Sequence, residues 1–380
     1  MCPSEAADSE DPAAARAGAI LTIDLDAVAD NYRRLCAELG AAACAAVVKA
    51  DAYGLGMARV APALARAGAR TFFVAQLEEA TALRAMFPVE VEVEIFVFNG
   101  LGAGRAAEFQ AGRVHPVLNS LGEIGAWAAA ARAAGRALPA AVHIDTGISR
   151  LGLPDDELEA LAADRGRLAG IDLRYLVSHL ACADRPEHPL NAEQLRRFRA
   201  ARARLPDAPA SLANSSGIFL GADYHLDLAR PGVALYGVNP TPGQPNPMRQ
   251  VVRLQGKILQ VREIDASRTV GYGATHRAAG PTRIATVAVG YADGYLRSLS
   301  NRGSAWLGDR RVPVVGRVSM DLITLDVTGA SAEAARPGAF VDLIGADLST
   351  DEVAEAAGTI GYEILTSLGR RYHRVYRGGR

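Results

Sequence analysis

The stretch Ala45-Ala-Val-Val-Lys49-Ala-Asp-Ala-Tyr53-Gly-Leu-Gly56, followed by a helical pattern over 58–67 and the apolar run Thr71-Phe-Phe-Val74, reads as one β–loop–α–β unit. A short β-rich run ends on a lysine, two glycines mark a loop, and a helix returns the chain to a second run. The texture repeats: β-like runs follow at 95–98, 113–117, 141–145, 174–179, 210–213 and 226–230, with helical stretches such as Leu121–Ala134 and 191–203 between them. Eight runs with intervening helices over roughly 200 residues predict a (β/α)8 TIM barrel. An open doubly wound sheet competes less well, because no GxGxxG follows the first run. Leu25, Val28, Tyr32, Leu35 and Leu39, three or four apart, predict an opening helix.

Beyond Tyr236 the texture changes. Pro240, Pro242, Gly243, Pro245 and Pro247 mark a linker, and β-branched runs follow at 251–261, 284–289, 312–318, 322–327 and 340–344. A second, mostly antiparallel β domain is expected, with a helix over Thr350–Ala357 and a basic end at 370–380. The expected division is a disordered tail over 1–19, a barrel over 20–240 and a β domain over 241–380.

The whole chain has 380 residues, with 41 Lys+Arg against 42 Asp+Glu, a net charge of −1. Such a balance gives no global field for nucleic acid or an anionic membrane. No run of apolar residues is long enough to span a bilayer, and the first residues lack the basic and apolar regions of a secretory signal, so a cytoplasmic location is expected. Four cysteines without a CxxC (Cys2, Cys36, Cys44, Cys182) argue against a disulfide scaffold.

In a barrel of this kind the chemistry sits where strands end. Lys49 ends the first run, Arg150 follows the fifth, His179 ends the sixth, Asn214 and Ser215 follow the seventh, and Arg230 ends the eighth ahead of Gly232 and Val233. Two arginines and a lysine at one mouth predict an anionic ligand. Desolvation of Lys49 would lower its pKa and make the amine nucleophilic; the alternative is a lysine that snorkels out of the mouth. Tyr53, beside Gly54 and Gly56, could reach a phosphate or simply pack. Gly232 and Val233 lie where barrels bind phosphate through backbone N–H groups, and Ser215 could donate to the same group. His179, Cys182, Asp184 and His188 offer metal-ligand chemistry, but their spacing matches no zinc motif and two prolines suit an ordinary loop.

Six segments together resemble the alanine racemase family: Ala46-Val-Val-Lys49-Ala-Asp-Ala-Tyr53-Gly-Leu-Gly56, Asp145-Thr-Gly-Ile-Ser-Arg-Leu-Gly152, Ala229-Arg-Pro-Gly-Val-Ala-Leu-Tyr-Gly237, Val270-Gly-Tyr-Gly-Ala274, Val289-Gly-Tyr-Ala-Asp-Gly294 and Gly316-Arg-Val-Ser-Met-Asp321. They stand in family order. The resemblance implies a pyridoxal 5'-phosphate (PLP) enzyme, a homodimer of barrel and β domain with shared sites, that interconverts L- and D-alanine and supplies D-alanine for peptidoglycan. It implies that Lys49 holds PLP covalently. Tyr53, Asn214, Ser215, Gly232, Val233 and Tyr362 would complete the cofactor site around the phosphate. Arg230 would face the pyridine nitrogen and His179 would sit by the ring. Arg150 would lie near the cofactor phenolate and the substrate carboxylate. From the partner chain, Tyr272 would be the second acid/base, and Tyr291, Met320 and Asp321 would line the substrate's path. No metal is implied.

Four positions depart from the family pattern. Leu55 stands where many relatives have His, Asp51 where many have Asn, and Ser211 replaces a His of some relatives. His143 stands where some members carry a carbamylated lysine that orients the arginine at position 150. None of the four is expected to carry the core chemistry. PLP-dependent decarboxylases share the fold but place a glutamate, not an arginine, against the pyridine nitrogen. PLP-homeostasis proteins lack the β domain, and metal-assisted PLP lyases are the remaining competitor.

Overall fold

In the computed structural model, residues 12–88 and 90–379 are described. The chain divides into two compact units, one of residues 27–249 and the other of the N-terminal segment through Asp26 together with 250–380.

The first unit is the barrel. Seven strands (Ala46–Val47, Thr71–Val74, Glu94–Val97, His115–Leu118, Leu138–His143, Ile171–Val177 and Ala210–Ser211) pair in chain order, all parallel. The eighth, Leu228–Ala229, closes the ring. On one side Asp227 and Arg230 donate N–H to Ala210 O (3.0 Å) and Ala213 O (2.8 Å). On the other, Ala43, Ala45 and Val47 donate to Asp227, Ala229 and Pro231 carbonyls at 2.9–3.0 Å. All eight runs read from the sequence are present. Most of their apolar residues are buried, Phe72, Phe73, Ile95 and Phe96 fully, as expected when helices cover a parallel sheet. The opening helix Leu25–Leu39 buries the five residues whose spacing predicts it.

The second unit is mostly antiparallel. Its sheet runs Arg310–Pro313, Ser304–Leu307, Phe340–Ile344, Val252–Ile264, Ala19–Asp24, His373–Arg377, and Thr282–Val287 and Ile323–Asp326 extend it from the 13-residue strand Val252–Ile264. Gly256 lets that strand pass under the core, because a Cβ there would lie 2.4 Å from Val287 Cγ1. The helix Thr350–Ala357 forms at its predicted bounds. Ser349 and Glu352 cap its start reciprocally and Gly358 (φ 73°) ends it.

The placement of Ala19–Asp24 differs from the sequence expectation. This strand pairs antiparallel with Val252–Ile264 and parallel with His373–Arg377, burying Leu21 and Ile23 completely. Its partners lie at the far end of the chain, where no local pattern reveals them. At the other boundary, Asn31 donates to Leu235 O and Arg249 O and accepts from Arg249 N, which fastens the proline-rich linker to the barrel. The expected tail falls partly outside the described residues. Its later part is ordered: Pro12–Arg16 is a short helix with Ala14 buried, and Lys257 Nζ donates to Ala15 O at 2.7 Å.

Candidate active site

Lys49 leaves the first barrel strand into an uncommon turn. Ala50, Asp51, Ala52 and Tyr53 all have φ of 53–56°, a left-handed turn without a glycine until Gly54. Each such residue costs about 1–2 kcal/mol, so the turn must be held from outside. Glu79 does so: one oxygen accepts from Ala50 N (2.6 Å) and the other from Ala75 N (2.8 Å) and Gln76 N (3.1 Å). The Asp51 carboxylate accepts from Met57 N at 2.7 Å, at the start of the helix Met57–Arg66, where an acid suits the helix dipole. The turn carries Tyr53 inward, its ring 4.8 Å from that of Tyr236, whose hydroxyl donates to Val47 O.

Tyr53 meets the segment after the eighth strand. A Cβ on Gly232 would lie 2.2 Å from the Tyr53 hydroxyl, so this approach requires glycine. The Ser215 hydroxyl accepts from Gly232 N (3.0 Å) and Ala234 N (3.2 Å). Tyr53, Ser215, Gly232 and Val233, which opens the short turn Val233–Tyr236, thus form a cradle of hydroxyls and backbone N–H groups suited to a phosphate. Asn214 stands beside it, its side-chain oxygen accepting from Gly217 N at 2.9 Å.

A cavity of about 240 Å³ is lined among others by Lys49, Phe98, His143, Arg150, His179 and Arg230. Burial, then the Arg150 charge, holds the Lys49 ammonium below its usual range, with Glu79 opposing. Arg230 is buried; its two terminal nitrogens donate to Ser211 Oγ and Ser178 O, and Nε has no partner. Among the described residues no carboxylate pairs with it, and burial pushes its pKa down to about 10, which leaves it charged at neutral pH. The same cations suppress the imidazoles. Burial first, then Arg230, takes His143 down to about 4, and burial, Arg230 and Arg150 take His179 well below its ordinary value. The mouth is therefore three cations and two neutral imidazoles, a seat for an anionic aromatic group. The unpartnered Arg230 Nε offers a hydrogen bond to a ring nitrogen, the desolvated Lys49 amine suits an aldehyde, and the cradle suits a phosphate. PLP fits this donor set.

The remaining sequence-predicted residues lie in the β unit. Tyr272 is 73% exposed between Gly271 and Gly273, both at positive φ, and Arg317 lies over Gly273. Tyr291 and Met320 meet through backbone bonds: Tyr291 N donates to Ser319 O and Ala292 N to Met320 O. Gly290 is required there, since a Cβ would lie 2.3 Å from Met320 O. Asp321 pairs with Arg371 at 2.8 Å, and Tyr362 is exposed on the helix Gly361–Ser367.

Sequence reasoning missed Glu79, whose partner Ala50 is 29 residues away. It also missed Asn119, which bonds His143 at 2.8 Å. Ser211, expected to be peripheral, receives Arg230 directly. The helix start Gln76-Leu-Glu-Glu79 was a visible capping signal, but nothing in it points to the lysine turn.

The sequence matches the family described as "Alanine racemase, N-terminal domain" over residues 23–240 and "Alanine racemase, C-terminal domain" over 251–376. It is 56% identical to an alanine racemase of Rhodospirillum rubrum over 96% of this chain and 97% of that one. It is 54% identical to a catabolic alanine racemase of Mesorhizobium japonicum over 96% and 95%. The fold is similar to that of the Bartonella henselae alanine racemase with covalently bound pyridoxal phosphate, with a TM-score of 0.92 and 42% identity over 95% of this chain and 100% of that one. A closed barrel whose first strand ends on a desolvated lysine, a buried arginine at the eighth, and these matches across both units together place the chain in the alanine racemase family.

Proposed function

We propose that the protein interconverts L- and D-alanine with PLP held covalently by Lys49, as a homodimer in which each site takes Tyr272 from the other chain. The observation that carries this reading is the buried Arg230, with an unpartnered Nε and, among the described residues, no paired carboxylate, lining the cavity that Lys49 lines. When bound, PLP supplies an electron sink for the Cα–H bond.

The chain's own residues supply placement and proton transfer. Tyr53, Ser215, Gly232 and Val233 would hold the phosphate. Arg230 would donate to the ring nitrogen and, being cationic, would disfavour its protonation, which would limit side reactions such as transamination. Arg150 binds the substrate carboxylate. Racemisation needs a proton carrier on each face: Lys49 Nζ, freed once the substrate amine takes its place, would serve one and the Tyr272 hydroxyl the other, each contributing about 10²–10⁴-fold. Tyr291 and Met320 restrict the substrate to a small side chain. The exposed Tyr272, Met320, Ile360 and Tyr362 form apolar surface that a second chain would cover. We place the enzyme in the cytoplasm, supplying D-alanine for peptidoglycan; among the described residues no helix is long and apolar enough to cross a membrane.

Incubation with L-alanine in D2O tests the reaction: optical activity is lost as the α-position gains deuterium. Borohydride treatment of the PLP-loaded protein leaves a permanent adduct on Lys49. Gas release instead of racemisation indicates a decarboxylase, and an adduct elsewhere or nowhere overturns the assignment.

A further inference from the structure

We propose that Asn301 is the positioning residue for Tyr272: its side chain staples the loop that carries the phenol to the neighbouring 316–318 segment. This inference rests on the reading of Tyr272 as the second proton carrier. Tyr272 sits at the tip of a two-stranded hairpin, Thr269–Val270 paired with His276–Arg277. The tip is an uncommon turn. Gly271, Gly273 and Ala274 have φ of 73°, 72° and 50°, and Ala274 N donates to Gly271 O across it at 3.2 Å. An alanine in the left-handed region is costly, so the tip gains from a brace outside the hairpin.

Asn301 supplies that brace. Its Oδ1 accepts from Gly316 N at 2.6 Å, its own N–H donates to Gly316 O at 3.2 Å, and its Nδ2 donates to Thr275 Oγ1 at 3.0 Å. Only an oxygen can accept from a backbone N–H, so the first bond fixes which end of the amide faces Thr275. Asn301 is itself left-handed (φ 56°), a conformation that asparagine tolerates better than most residues. Ser300 adds a tie to the same segment, its hydroxyl accepting from Val318 N at 3.0 Å. The entry side of the tip rests on this segment too. A Cβ on Gly316 would lie 2.9 Å from Val270 O, and one on Gly271 would lie 3.2 Å from Arg317 N. The tip is thus gripped on both flanks: by main chain packed on Gly316 before the tyrosine, and by the Asn301 amide on Thr275 after it. The segment continues to Met320, so the staple also fixes the phenol relative to the residue read as lining the substrate's path. A displacement of about 1 Å at a reacting group can cost about 100-fold in rate. A side chain that never touches substrate can therefore limit kcat through Tyr272.

The test follows amide hydrogen exchange in wild type, N301G, N301D and T275V. It adds α-deuterium exchange from L- and D-alanine by the PLP-loaded forms of these proteins, of Y272F and of N301G/Y272F. N301G suits the left-handed backbone and removes only the side chain. It should speed exchange at the Gly316 and Ala274 amides, whereas T275V should speed it at Ala274 alone. Both should lower kcat about tenfold, in the enantiomer direction that Y272F impairs more, with KM within about threefold. N301D, whose carboxylate can accept from Gly316 N and from the Thr275 hydroxyl, should recover most of the loss. N301G/Y272F should be no slower than Y272F, because the staple acts through the phenol. Equal loss in both directions, T275V at wild-type rates, or a double variant slower by the product of the two would overturn the proposal. If Y272F loses activity asymmetrically and the Asn301 expectations fail, the Asn301 role alone falls; if Y272F shows symmetric loss or none, the reading of Tyr272 falls with it. If N301G does not fold, T275V and N301D decide.

Discussion

At the barrel mouth, Lys49, His143 and Arg230 are each fixed by neighbours before any ligand arrives. Glu79 braces the turn after the lysine, Asn119 sets the imidazole, and Ser178 and Ser211 hold the arginine. In the β unit the opposite holds for the side chains. Tyr272 and Met320 project from loops whose backbones are fixed by glycines and main-chain bonds, yet they are 73% and 54% exposed. In the barrel half, His143 and Arg230 are held by side-chain bonds and Lys49 follows a braced backbone turn. In the β half the backbones around Tyr272 and Met320 are fixed while these two side chains stand exposed.

Three measurements can break or sharpen that contrast. The largest effect is expected for Tyr272→Phe. Racemisation should fall about 10²–10⁴-fold, with α-deuterium exchange impaired more for one enantiomer than the other. Unfolding by urea should shift by under about 0.5 kcal/mol, as for an exposed surface change. Equal loss in both directions would contradict the two-base assignment. Next, Glu79→Ala should destabilise the barrel by about 2–3 kcal/mol in urea unfolding, since three N–H groups lose a charged acceptor and the left-handed turn loses its brace. Its PLP affinity should fall in parallel; unchanged stability would show that the turn holds itself. The smallest effect concerns acid. The folded pKa values of His115 and His143 are both about 4, below the ordinary histidine value. Between those limits the unfolded chain binds more protons than the folded one, so stability should be full above about pH 6.5 and be lost as pH falls. Each imidazole should contribute up to about 2 kcal/mol between pH 6.5 and 5. A flat profile in urea titrations over that range would mean that the barrel admits protonated histidine.

The sequence was most legible where function and fold use local patterns. The eight runs and their polar ends rest on neighbours within a few residues, and the structure brings Lys49, Arg150, His179 and Arg230 to one cavity. What stayed hidden depends on distance. Nothing in Ala50-Asp-Ala-Tyr53 announces a left-handed turn, because none of the four is glycine and the brace comes from another helix. Ser211 looked peripheral until the eighth strand was laid beside the seventh, where its hydroxyl meets Arg230. The strand Ala19–Asp24 is a short, largely buried apolar run that any sheet would accept, and only pairing across the chain assigns it.

That strand has a consequence for biosynthesis. It sits between Val252–Ile264 and His373–Arg377, and the Gly379 N–H donates to Asp26 across 353 residues. The barrel strands can zip together one after another as they emerge from the ribosome. The early strand must wait, unpaired, until translation of its last neighbour is almost finished, so its exposed edge is where chaperone dependence and premature self-association of the nascent chain should concentrate.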